Sequence, residues 1–502
     1  MIYVHSMGRA VRYYPERPAL ALNQSTDKST LTFSQLHDRV KRLAAGLCSA
    51  GFKKGDRLAI LLPNTPEYIE LVYACSWLGV IAVPINVRLS TLEIDNVLAD
   101  SSPRGIVRHS TLPQPNTRLS WDIVLDRDGL MGSDGTCPDA CYDPDAVLAL
   151  IYTSGTTGRP KGVMLTHSNI LSDVNNFNYW MRYREGGVYL HAAPIFHIAD
   201  FPAMFAAPMF GASQVTLARF QPETFCEVVA KERVNYTVLV PTMINFVTQF
   251  AESNPHDLTS LELLAYGGSA MAPQLIRKTR ELLPKTQLVQ VYGLSETGFL
   301  TGLQDGEHTA DKLTSCGRPC PGVDVQIVDN TGNPIKPPNP GELVARGANV
   351  MVGYWNNKEE TAASFQNGYF RTGDIGYQDS NGYFYILDRL KDMIVTGGEN
   401  VYSGEVEGVI FKHPAVRDVA VFGVPDAKWG ELVAACVVLK PGTKLTADEL
   451  IAYSRQFVAN YKVPRRIDFS ETDLPKSASG KVLKRVLRER FWAGAERSVG
   501  PV

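Results

Sequence analysis

The sequence predicts an α/β protein of two domains, a large N-terminal one at 1–390 and a small C-terminal α+β one at 391–502. Strand and helix patterns alternate through most of the chain, which indicates helix-flanked, mainly parallel sheets. Short β patterns at 341–388 add a β-rich subdomain to the large domain. The 502 residues also exceed the roughly 250–300 at which a single core stops growing, so subdivision is expected.

The first elements show the alternation. Thr32 and Gln35 have the spacing of a capping box, which predicts a helix that ends near Gly51. The later elements predicted for the large domain are strand 57–62, helix 67–78, strand 79–87, helix 222–233, strand 236–240, helix 242–252, strand 261–266, helix 273–283 and strand 287–292. The stretch 101–145 is rich in Pro, Asp and Ser and predicts a loop-dominated connection.

The character of the chain changes near Lys391, where the small domain is predicted to begin. Its predicted elements are a helix at 405–411, strands at 419–424 and 433–439, and a helix capped by Thr446 and Glu449.

Bulk composition bears on partners and location. The net charge of −2 gives no broad attraction to nucleic acid, so none is expected as a partner. The most apolar windows, 71–87 and 196–210, are interrupted by prolines or by Asp200, and they indicate core rather than membrane spans. Peripheral contact with a membrane stays open. The N-terminus lacks the apolar run of a signal peptide, and eight scattered cysteines favour reduced thiols and a cytoplasmic location.

The most informative stretch is 152–163, which reads Tyr-Thr-Ser-Gly-Thr-Thr-Gly-Arg-Pro-Lys-Gly-Val after an apolar, strand-like run. Its glycines permit a tight loop whose N–H groups converge on an anion, and Lys161 adds a point charge. The stretch therefore predicts a polyphosphate site. It is not a Walker A motif, because only two residues separate Gly155 from Gly158 and a glycine follows Lys161. A surface turn is the alternative, which so long an ordered string disfavours.

Polar, glycine-bearing segments also follow the predicted strands 261–266 and 287–292. Ligands collect at the carboxyl ends of strands in open α/β sheets, which favours Gly267-Gly268-Ser269 and 292–297 as binding segments. Tyr292 offers an aromatic face for a purine, and Glu296 a carboxylate for a hard metal ion. A helix cap is the alternative role for this glutamate.

Three motifs of the C-terminal part suggest further binding chemistry. Asp374, in Arg-Thr-Gly-Asp, can accept both hydroxyls of a ribose, although it could also be a simple turn residue. Gly397 and Gly398 indicate a close approach of the backbone to another group. Lys481, beside Gly480, can reach an active site as a mobile cation, whereas mutation of a merely solvated lysine would change little.

Five of these motifs, in this order, resemble those of the acyl-adenylate-forming superfamily, and the resemblance extends from about Leu31 to Leu487. The family usually has threonine in place of Ser295, a change that keeps the hydroxyl. The resemblance implies that ATP or AMP is bound by Thr153, Ser154, Gly155, Thr156, Thr157, Gly158, Lys161, Gly267, Gly268, Ser269, Tyr292, Gly293, Leu294, Ser295, Asp374, Arg389 and Lys481. It implies that Mg²⁺ is bound by Glu296 and Thr153. It implies catalytic roles for Lys481, His197, Glu296 and Lys161, and a hinge at Lys391 about which the small domain moves.

The same resemblance implies an acid pocket and a path for coenzyme A. The implied pocket residues are His197, Ala199, Asp200, Thr242, Gly268 and Phe299, and the implied CoA residues are Gly397, Gly398 and Lys462. In the family, the histidine guards the acyl pocket and pairs with the glutamate found here as Glu399. From the residues alone, His197 would be a core side chain and Lys462 an exposed lysine. Asp200 is either a solvated turn residue or a determinant of acid specificity.

The implied activity is that of an AMP-forming carboxylic acid–CoA ligase that uses ATP, Mg²⁺ and coenzyme A. Similarity at 388–402 and at the Lys481 motif points to fatty acyl or feruloyl-type ligases, and hence to a hydrophobic acid. Two alternatives stay open, an adenylating enzyme that loads a carrier protein and a nucleotide-binding regulator without catalysis. The presence of Glu296, Asp374, Arg389 and Lys481 argues against the regulator. The expected partners are small molecules, and the expected oligomeric state is a monomer or a homodimer.

Overall fold

A computed structural model describes residues 1–23, 28–128, 130, 132–154, 160–426, 428–476 and 482–492. The chain divides into two compact units, a first unit of 1–325 with 345–370 and a second unit of 326–344 with 371–502. The predicted boundary between residues 390 and 391 stays a prediction, because the packing of a chain does not identify the point about which it pivots. Within the described ranges, none of the helices has the length and apolar character needed to cross a membrane.

The helices are α1 (Arg9–Tyr13), α2 (Phe33–Ser49), α3 (Pro66–Leu78), α4 (Thr91–Ser101), α5 (Leu125–Asp128), α6 (His167–Met181), α7 (Ala203–Met209), α8 (Pro222–Glu232), α9 (Pro241–Ser253), α10 (Pro273–Leu282), α11 (Lys358–Ala363), α12 (Ser403–Ile410), α13 (Ala447–Ser454) and α14 (Lys484–Trp492). Single turns of π-helix and 3₁₀-helix lie at Val4–Gly8 and Asp305–Glu307. The predicted capping boxes at Thr32 and Thr446 are confirmed.

The strands are β1 (Pro18–Asn23), β2 (Lys28–Thr32), β3 (Arg57–Leu61), β4 (Ile81–Pro84), β5 (Gly105–Arg108), β6 (Trp121–Val124), β7 (Val147–Ser154), β8 (Pro160–Thr166), β9 (Val188–His191), β10 (Ser213–Thr216), β11 (Tyr236–Leu239), β12 (Leu263–Gly267), β13 (Gln287–Leu294), β14 (Gly298–Leu303), β15 (Arg318–Pro319), β16 (Val323–Val328), β17 (Gly341–Gly347), β18 (Gly353–Tyr354), β19 (Phe365–Gln366), β20 (Tyr369–Gln378), β21 (Phe384–Arg389), β22 (Ile394–Thr396), β23 (Glu399–Val401), β24 (Val416–Asp426), β25 (Gly430–Leu439) and β26 (Arg466–Phe469).

A nine-stranded sheet dominates the first unit, in the order β15-β14-β13-β12-β11-β9-β10-β1-β2. Its inner strands from β13 to β1 run parallel, and β14, β15 and β2 add antiparallel edges. Helices α8, α9 and α10 bury Phe225, Ile244 and Ile276 in one apolar cluster with Leu264 of β12. The predicted α/β class with a mainly parallel sheet is confirmed.

A seven-stranded sheet completes the first unit, in the order β18-β8-β7-β4-β3-β5-β6. Strands β7, β4, β3, β5 and β6 are parallel, whereas β8 runs antiparallel to β7. The prediction of a loop-dominated connection at 101–145 is confirmed, although the stretch also contains the short strands β5 and β6 and the one-turn helix α5. Both strands have only four residues, too few to show a pattern beside so many prolines and aspartates.

A five-stranded sheet of β16, β17, β20, β19 and β21 forms the predicted β-rich region, and β16, β17 and β20 each contain residues of both units. The second unit also has a sheet in the order β23-β22-β25-β24, with β26 beside β25. Its own core includes Ile394, Val406, Val421 and Val437, so it is an α+β unit with independent packing.

Candidate active site

The carboxyl edge of the nine-stranded sheet collects many of the predicted residues. Strand β9 leads into the turn that carries His197, β11 into α9 with Thr242, and β12 into Gly268 and Ser269. These strands are parallel to each other and to β13, which ends with Leu294, so the segments meet at one edge. The predicted location at the strand ends is confirmed, and Thr242, Gly268 and Ser269 are exposed there.

Two glycines at this edge are required by close backbone approach. A Cβ atom on Gly267 would lie 2.3 Å from the carbonyl oxygen of Val291, and one on Gly293 would lie 1.8 Å from that of Gly298. Real Cβ atoms do not approach so closely. Any side chain at either position would therefore push apart the strand ends that frame the site.

The predicted phosphate lysine and the predicted metal ligand share one neighbour. The hydroxyl of Tyr354 donates to Oε1 of Glu296 at 2.9 Å, and the Nζ of Lys161 lies 5.3 Å from the centre of the Tyr354 ring. Lys161 also forms an ion pair with Glu360. We call these four residues the Tyr354 cluster. Its geometry arises because Tyr354, in β18, pairs with Val163 of β8, two residues after the lysine.

Tyr354 and Glu360 were not singled out in the sequence. Lys161 and Glu360 are 199 residues apart in the chain, so no local sequence pattern predicts their contact. The pair is only partly buried, since the side chains keep 14% and 38% of their exposure. Its net stabilisation is therefore modest, and the lysine stays open to exchange with another anion.

The residues predicted to hold Mg²⁺ have suitable chemistry. Glu296 is half-buried in the turn between β13 and β14, and its carboxylate is oriented by a hydroxyl donor. Oxygen ligands of this kind are the ones that Mg²⁺ prefers. Thr153, the second predicted ligand, is half-buried near the end of β7, directly opposite Lys161.

The phosphate loop itself lies mainly outside the described residues. Its backbone is described as far as Ser154, and Gly155, Thr156, Thr157 and Gly158 lie outside, as does Lys481 of the second unit. The flanking strands are described, and they form a hairpin in which Ser154 pairs with Pro160. The predicted roles of the omitted residues stay predictions.

A buried polar face of α6 supports the turn that bears Glu296. Asn169 donates to the carbonyl oxygens of Ala348 and Val350, both at 2.8 Å, and Asp173 accepts from the N–H of Phe299 at 2.7 Å. Asn176 follows one turn later and donates to the Phe299 carbonyl oxygen at 3.4 Å. Positions i, i+4 and i+7 share one helix face, and all three side chains are buried.

The carboxyl group of Asp173 is almost completely buried. It is 1% exposed, and its Oδ2 has no hydrogen-bond partner among the described residues. Burial raises the pKa of Asp173 to about 7, opposed by the bond from Phe299. Gly298 makes room for it, because a Cβ there would lie 2.3 Å from the carboxyl carbon.

The residues predicted to line an acid pocket are held differently. His197 is half-buried in a turn after β9, beside Ala199, while Phe299 is 5% exposed. Asp200 is fully buried, and it accepts from the Tyr189 hydroxyl at 2.5 Å and lies 2.7 Å from Nδ1 of His191. The solvated-turn interpretation of Asp200 is therefore wrong. Both carboxylate oxygens have partners in the core, so any effect of this residue on acid choice is indirect.

The second unit contains the predicted ribose residues as a pair. Asp374 and Arg389 lie opposite each other on β20 and β21, with 2.5 Å between Oδ1 and Nε. Asp374 is 2% exposed, so the carboxylate is held by the sheet. Tyr292 and Leu294, predicted to contact the nucleotide, are half-buried in the first unit, as is Ser295.

The predicted CoA residues have mixed outcomes. Gly397 and Gly398 have φ of +60° and +84° and are exposed, and the close approach at Gly397 is made by the ring of Trp429, 2.7 Å from where a Cβ would lie. Lys462 is not an exposed lysine, since its side chain is 19% exposed and its Nζ lies 2.8 Å from both carboxylate oxygens of Glu405. Lys391 lies between β21 and β22, and its carbonyl oxygen accepts from Arg488.

Among the described residues there is no group of three or more His, Cys, Asp or Glu side chains that could hold a metal ion by themselves. A Mg²⁺ site based on Glu296 would therefore need ligands of another kind, such as hydroxyls, substrate phosphates and water.

Comparison with known proteins gives consistent results. A feruloyl-CoA synthase of Amycolatopsis sp. is 38% identical over 92% of this chain and 94% of its own length. A long-chain-fatty-acid–CoA ligase of Mycobacterium tuberculosis is 34% identical over 92% and 93%. A fatty acid–[acyl-carrier-protein] ligase of Streptomyces coeruleorubidus is 33% identical over 94% and 93%.

Solved structures are similar over nearly the whole chain. The o-succinylbenzoate CoA synthetase of Bacillus subtilis, in complex with its acyl-adenylate intermediate, has a TM-score of 0.86 and 33% identity, with 96% of this chain and 97% of that one covered. The same synthetase with ATP and a magnesium ion has a TM-score of 0.85. The AMP-binding enzyme model matches residues 7–355, and the AMP-binding enzyme C-terminal domain matches 405–481. The chain belongs to the AMP-binding enzyme family.

Proposed function

We propose that this protein, an AMP-forming carboxylic acid–CoA ligase, activates a hydrophobic acid of the fatty or aromatic class. A carboxylate oxygen attacks the α-phosphorus of ATP and the bond to pyrophosphate breaks, which gives an acyl-adenylate. The thiol sulfur of CoA then attacks the acyl carbon, and AMP leaves. The observation that carries the proposal is the Tyr354 cluster, which brings the phosphate lysine and the metal carboxylate to one neighbour.

The cluster fits the electrostatic needs of the first step. Negative charge grows on the leaving pyrophosphate, and cations aimed at it lower the barrier. Lys161 would leave Glu360 for the phosphates, which is feasible because their ion pair is partly exposed. Glu296 and Thr153 would hold Mg²⁺, which supplies further positive charge when bound. Tyr354 keeps the glutamate oriented throughout.

The remaining nucleotide contacts are proposed from the family's motifs. Tyr292 would stack on the adenine, and the exposed segment from Gly268 to Ser269 would border it at the strand ends. Asp374 and Arg389 of the second unit would bind the ribose. Lys481, Gly397, Gly398 and Lys462 belong to the same unit, so a rotation near Lys391 would exchange the adenylation lysine for the CoA residues.

The acid would bind at the carboxyl edge of the nine-stranded sheet. His197, Ala199, Thr242 and Gly268 follow β9, β11 and β12 in the chain, and Phe299 lies in β14, which pairs with β13. Among these five pocket residues only His197 is titratable, and none is a Lys, Arg, Asp or Glu. This composition favours an apolar acid. We place the enzyme in the cytoplasm, because its eight cysteines are all free, as in a reducing compartment. A monomer or homodimer stays the proposed oligomeric state.

A carrier protein is the second candidate for the acyl acceptor. One relative, 33% identical over 94% of this chain, is named a ligase of this type. The chemistry of the first step is the same, and only the source of the phosphopantetheine thiol differs. Acyl transfer to free CoA and to a phosphopantetheinylated carrier protein would be compared at equal thiol concentration.

The deciding experiment is a pyrophosphate-release screen over fatty, phenylpropenoic, benzoic and dicarboxylic acids, with and without CoA. We expect release with fatty or aromatic acids and thioester formation only when CoA is present. Release with dicarboxylic acids alone would exclude a hydrophobic pocket. The variant Lys481→Ala should abolish synthesis of the thioester from free acid, and full activity of this variant would overturn the two-unit mechanism.

A further inference from the structure

A chain of buried polar side chains lies behind the turn that carries His197. We call it the Asp200 network, and its members are Asp200, Tyr189, His191, Gln214 and Tyr73, each with 0% exposure. Asp200 bonds to both Tyr189 and His191. His191 Nε2 lies 3.0 Å from Oε1 of Gln214, and Nε2 of Gln214 donates to the Tyr73 hydroxyl at 3.1 Å.

The direction of these bonds can be followed from one end. The Tyr73 hydroxyl donates to the carbonyl oxygen of Met204 in α7, so it accepts from Gln214. The amide oxygen of Gln214 then faces His191, whose Nε2 must carry the hydrogen. Nδ1 of His191 is left for Asp200, and this contact requires a second hydrogen, carried either by the ring or by the carboxyl group; the other carboxyl oxygen accepts from the Tyr189 hydroxyl. Every polar group in the chain therefore has a partner.

Such a network is costly to bury and needs a compensating role. A carboxylate removed from water loses several kcal/mol unless it is fully bonded. Apolar side chains of the same volume would fill this core at least as well. Fully satisfied polar networks differ from apolar packing in that they select one arrangement of the backbone that carries them.

The backbone selected here is the His197 turn. The N–H groups of Asp200 and Phe201 donate to the carbonyl oxygen of His197 at 3.1 and 3.0 Å. On the other side of the turn, Asn64 donates to the carbonyl oxygen of Ala193 at 2.7 Å and accepts from the N–H of Ile195 at 3.0 Å. Asp200 thus joins the end of the turn to β9, while Asn64 holds its beginning.

We propose that Asp200 is a positioning residue for acid selection. Through Tyr189 and His191 it fixes the turn that holds His197 at the acid pocket, and it does so without contact with the substrate. The inference rests on the proposed function, because it assumes that His197 borders the bound acid. It predicts that damage to the network raises the KM for the acid and leaves the KM for ATP unchanged.

Two neighbouring tyrosines provide a matched test. Tyr189→Phe removes the hydroxyl that bonds to Asp200, whereas Tyr183→Phe removes a buried hydroxyl that has no hydrogen-bond partner among the described residues. The two rings are 6.1 Å apart, centre to centre, in the same core. We expect Tyr189→Phe to raise the KM for the acid about fivefold or more with the KM for ATP within twofold, and Tyr183→Phe to change neither.

A second pair of variants separates positioning from packing. Asp200→Asn can still accept from Tyr189 and can donate to a neutral His191, so its KM for the acid should stay within about threefold of wild type. Asp200→Ala breaks both bonds and should raise it at least tenfold, if the variant folds. Thermal unfolding of each variant reports its stability separately.

Several results would overturn the inference. Equal effects of Tyr189→Phe and Tyr183→Phe, a proportional rise in both KM values, or Asp200→Asn as impaired as Asp200→Ala would each exclude positioning by these bonds. A wild-type protein without acid-dependent pyrophosphate release would instead overturn the proposed function, so the two failures are distinguishable.

Discussion

The Tyr354 cluster, proposed to bind the nucleotide, and the Asp200 network, proposed to support the acid pocket, are built on opposite principles. In the Tyr354 cluster, the charged groups are partly exposed, and Lys161 has an anionic partner that another anion can replace. In the Asp200 network, every member is fully buried, and each bond ends in another core residue. The first arrangement suits groups that must change partner during a reaction. The second suits a wall that must keep one shape.

This difference in burial predicts which residues control the kinetic parameters for the nucleotide and metal and which control those for the acid. Changes in the Tyr354 cluster should alter catalysis, the KM for ATP or the Mg²⁺ requirement, and leave the KM for the acid unchanged. Changes in the core behind His197 should do the reverse. Three variants of the Tyr354 cluster test the first of these statements, and Asp173→Asn tests the buried face of α6. Their expected effects decrease from Lys161→Ala to Glu360→Gln.

Removal of the phosphate lysine is expected to have the largest effect. Lys161→Ala should lower acid-dependent pyrophosphate formation by about 10²–10³-fold, the usual cost of losing one group that stabilises charge in a transition state. The KM for the acid should be unchanged. The exposed Lys358 provides the control, as Lys358→Ala, and a loss smaller than about threefold for Lys161→Ala would remove the lysine from the mechanism.

The buried face of α6 gives a pH-dependent test. The pKa of Asp173 is about 7 in the folded protein, against a reference value of 3.8. Between pH 3.8 and about 7 the folded state therefore binds one proton more than the unfolded state. The stability that this neutral carboxyl contributes is present at low pH and is lost as the pH rises through about 7. Asp173→Asn cannot ionise, so its advantage over wild type in unfolding free energy should grow by about 2–3 kcal/mol from pH 5 to pH 8.

Denaturant unfolding at the two pH values measures this difference. The exposed Asp134 provides the control, because Asp134→Asn should shift stability equally at both. A pH-independent difference for Asp173→Asn would show that Asp173 is ionised throughout the range.

The hydroxyl of Tyr354 should tune the metal site. Tyr354→Phe keeps the ring beside Lys161 and loses the bond to Glu296, so the Mg²⁺ concentration for half-maximal activity should rise about tenfold, as for loss of a hydrogen bond to a charged group. Calorimetric binding of ATP at varied Mg²⁺, without acid, should show the same shift. Tyr14→Phe removes a similar bond, to Glu185 at 2.7 Å, and should change neither measurement.

The carboxylate of Glu360 should have the smallest effect, and in the opposite direction. Glu360→Gln releases Lys161 from a partner that competes with the triphosphate, so the KM for ATP should fall by roughly two- to fivefold, in line with the small energies of partly exposed ion pairs. Glu359→Gln makes the same change of charge at the exposed neighbouring residue. A higher KM for Glu360→Gln would mean that Glu360 orients the lysine for the nucleotide.

Local patterns predicted much of the fold correctly. The capping boxes at Thr32 and Thr446 depend on residues three apart, and the alternation of strands and helices depends on short periods, so both can be read from the chain. The four-residue strands β5 and β6 were missed because they are too short to show a period. The strings that predict the polyphosphate and metal sites could be singled out because each is compact, and their roles stay predictions.

Residues joined only by the fold could not be found in this way. Glu360 is 199 positions from Lys161, and Tyr354 is 58 from Glu296. Asn169, Asp173 and Asn176 do share one helical face in the sequence, but a polar face usually indicates solvent, and only the structure shows that it is buried. Asp200 illustrates the same point, because its burial depends on partners in β9.

Helix α6 limits how the protein can be altered. Its three buried polar groups reach the segments around residues 298 and 349 from a single side of the helix. Each residue inserted into a helix rotates all later positions by about 100° about the helix axis. An insertion or deletion between Asn169 and Asp173 would therefore break either the hydrogen bonds of Asn169 or those of Asp173 and Asn176, because both could no longer face the same side. Engineers who wish to reshape the proposed acid pocket should therefore keep the residue count of α6 constant.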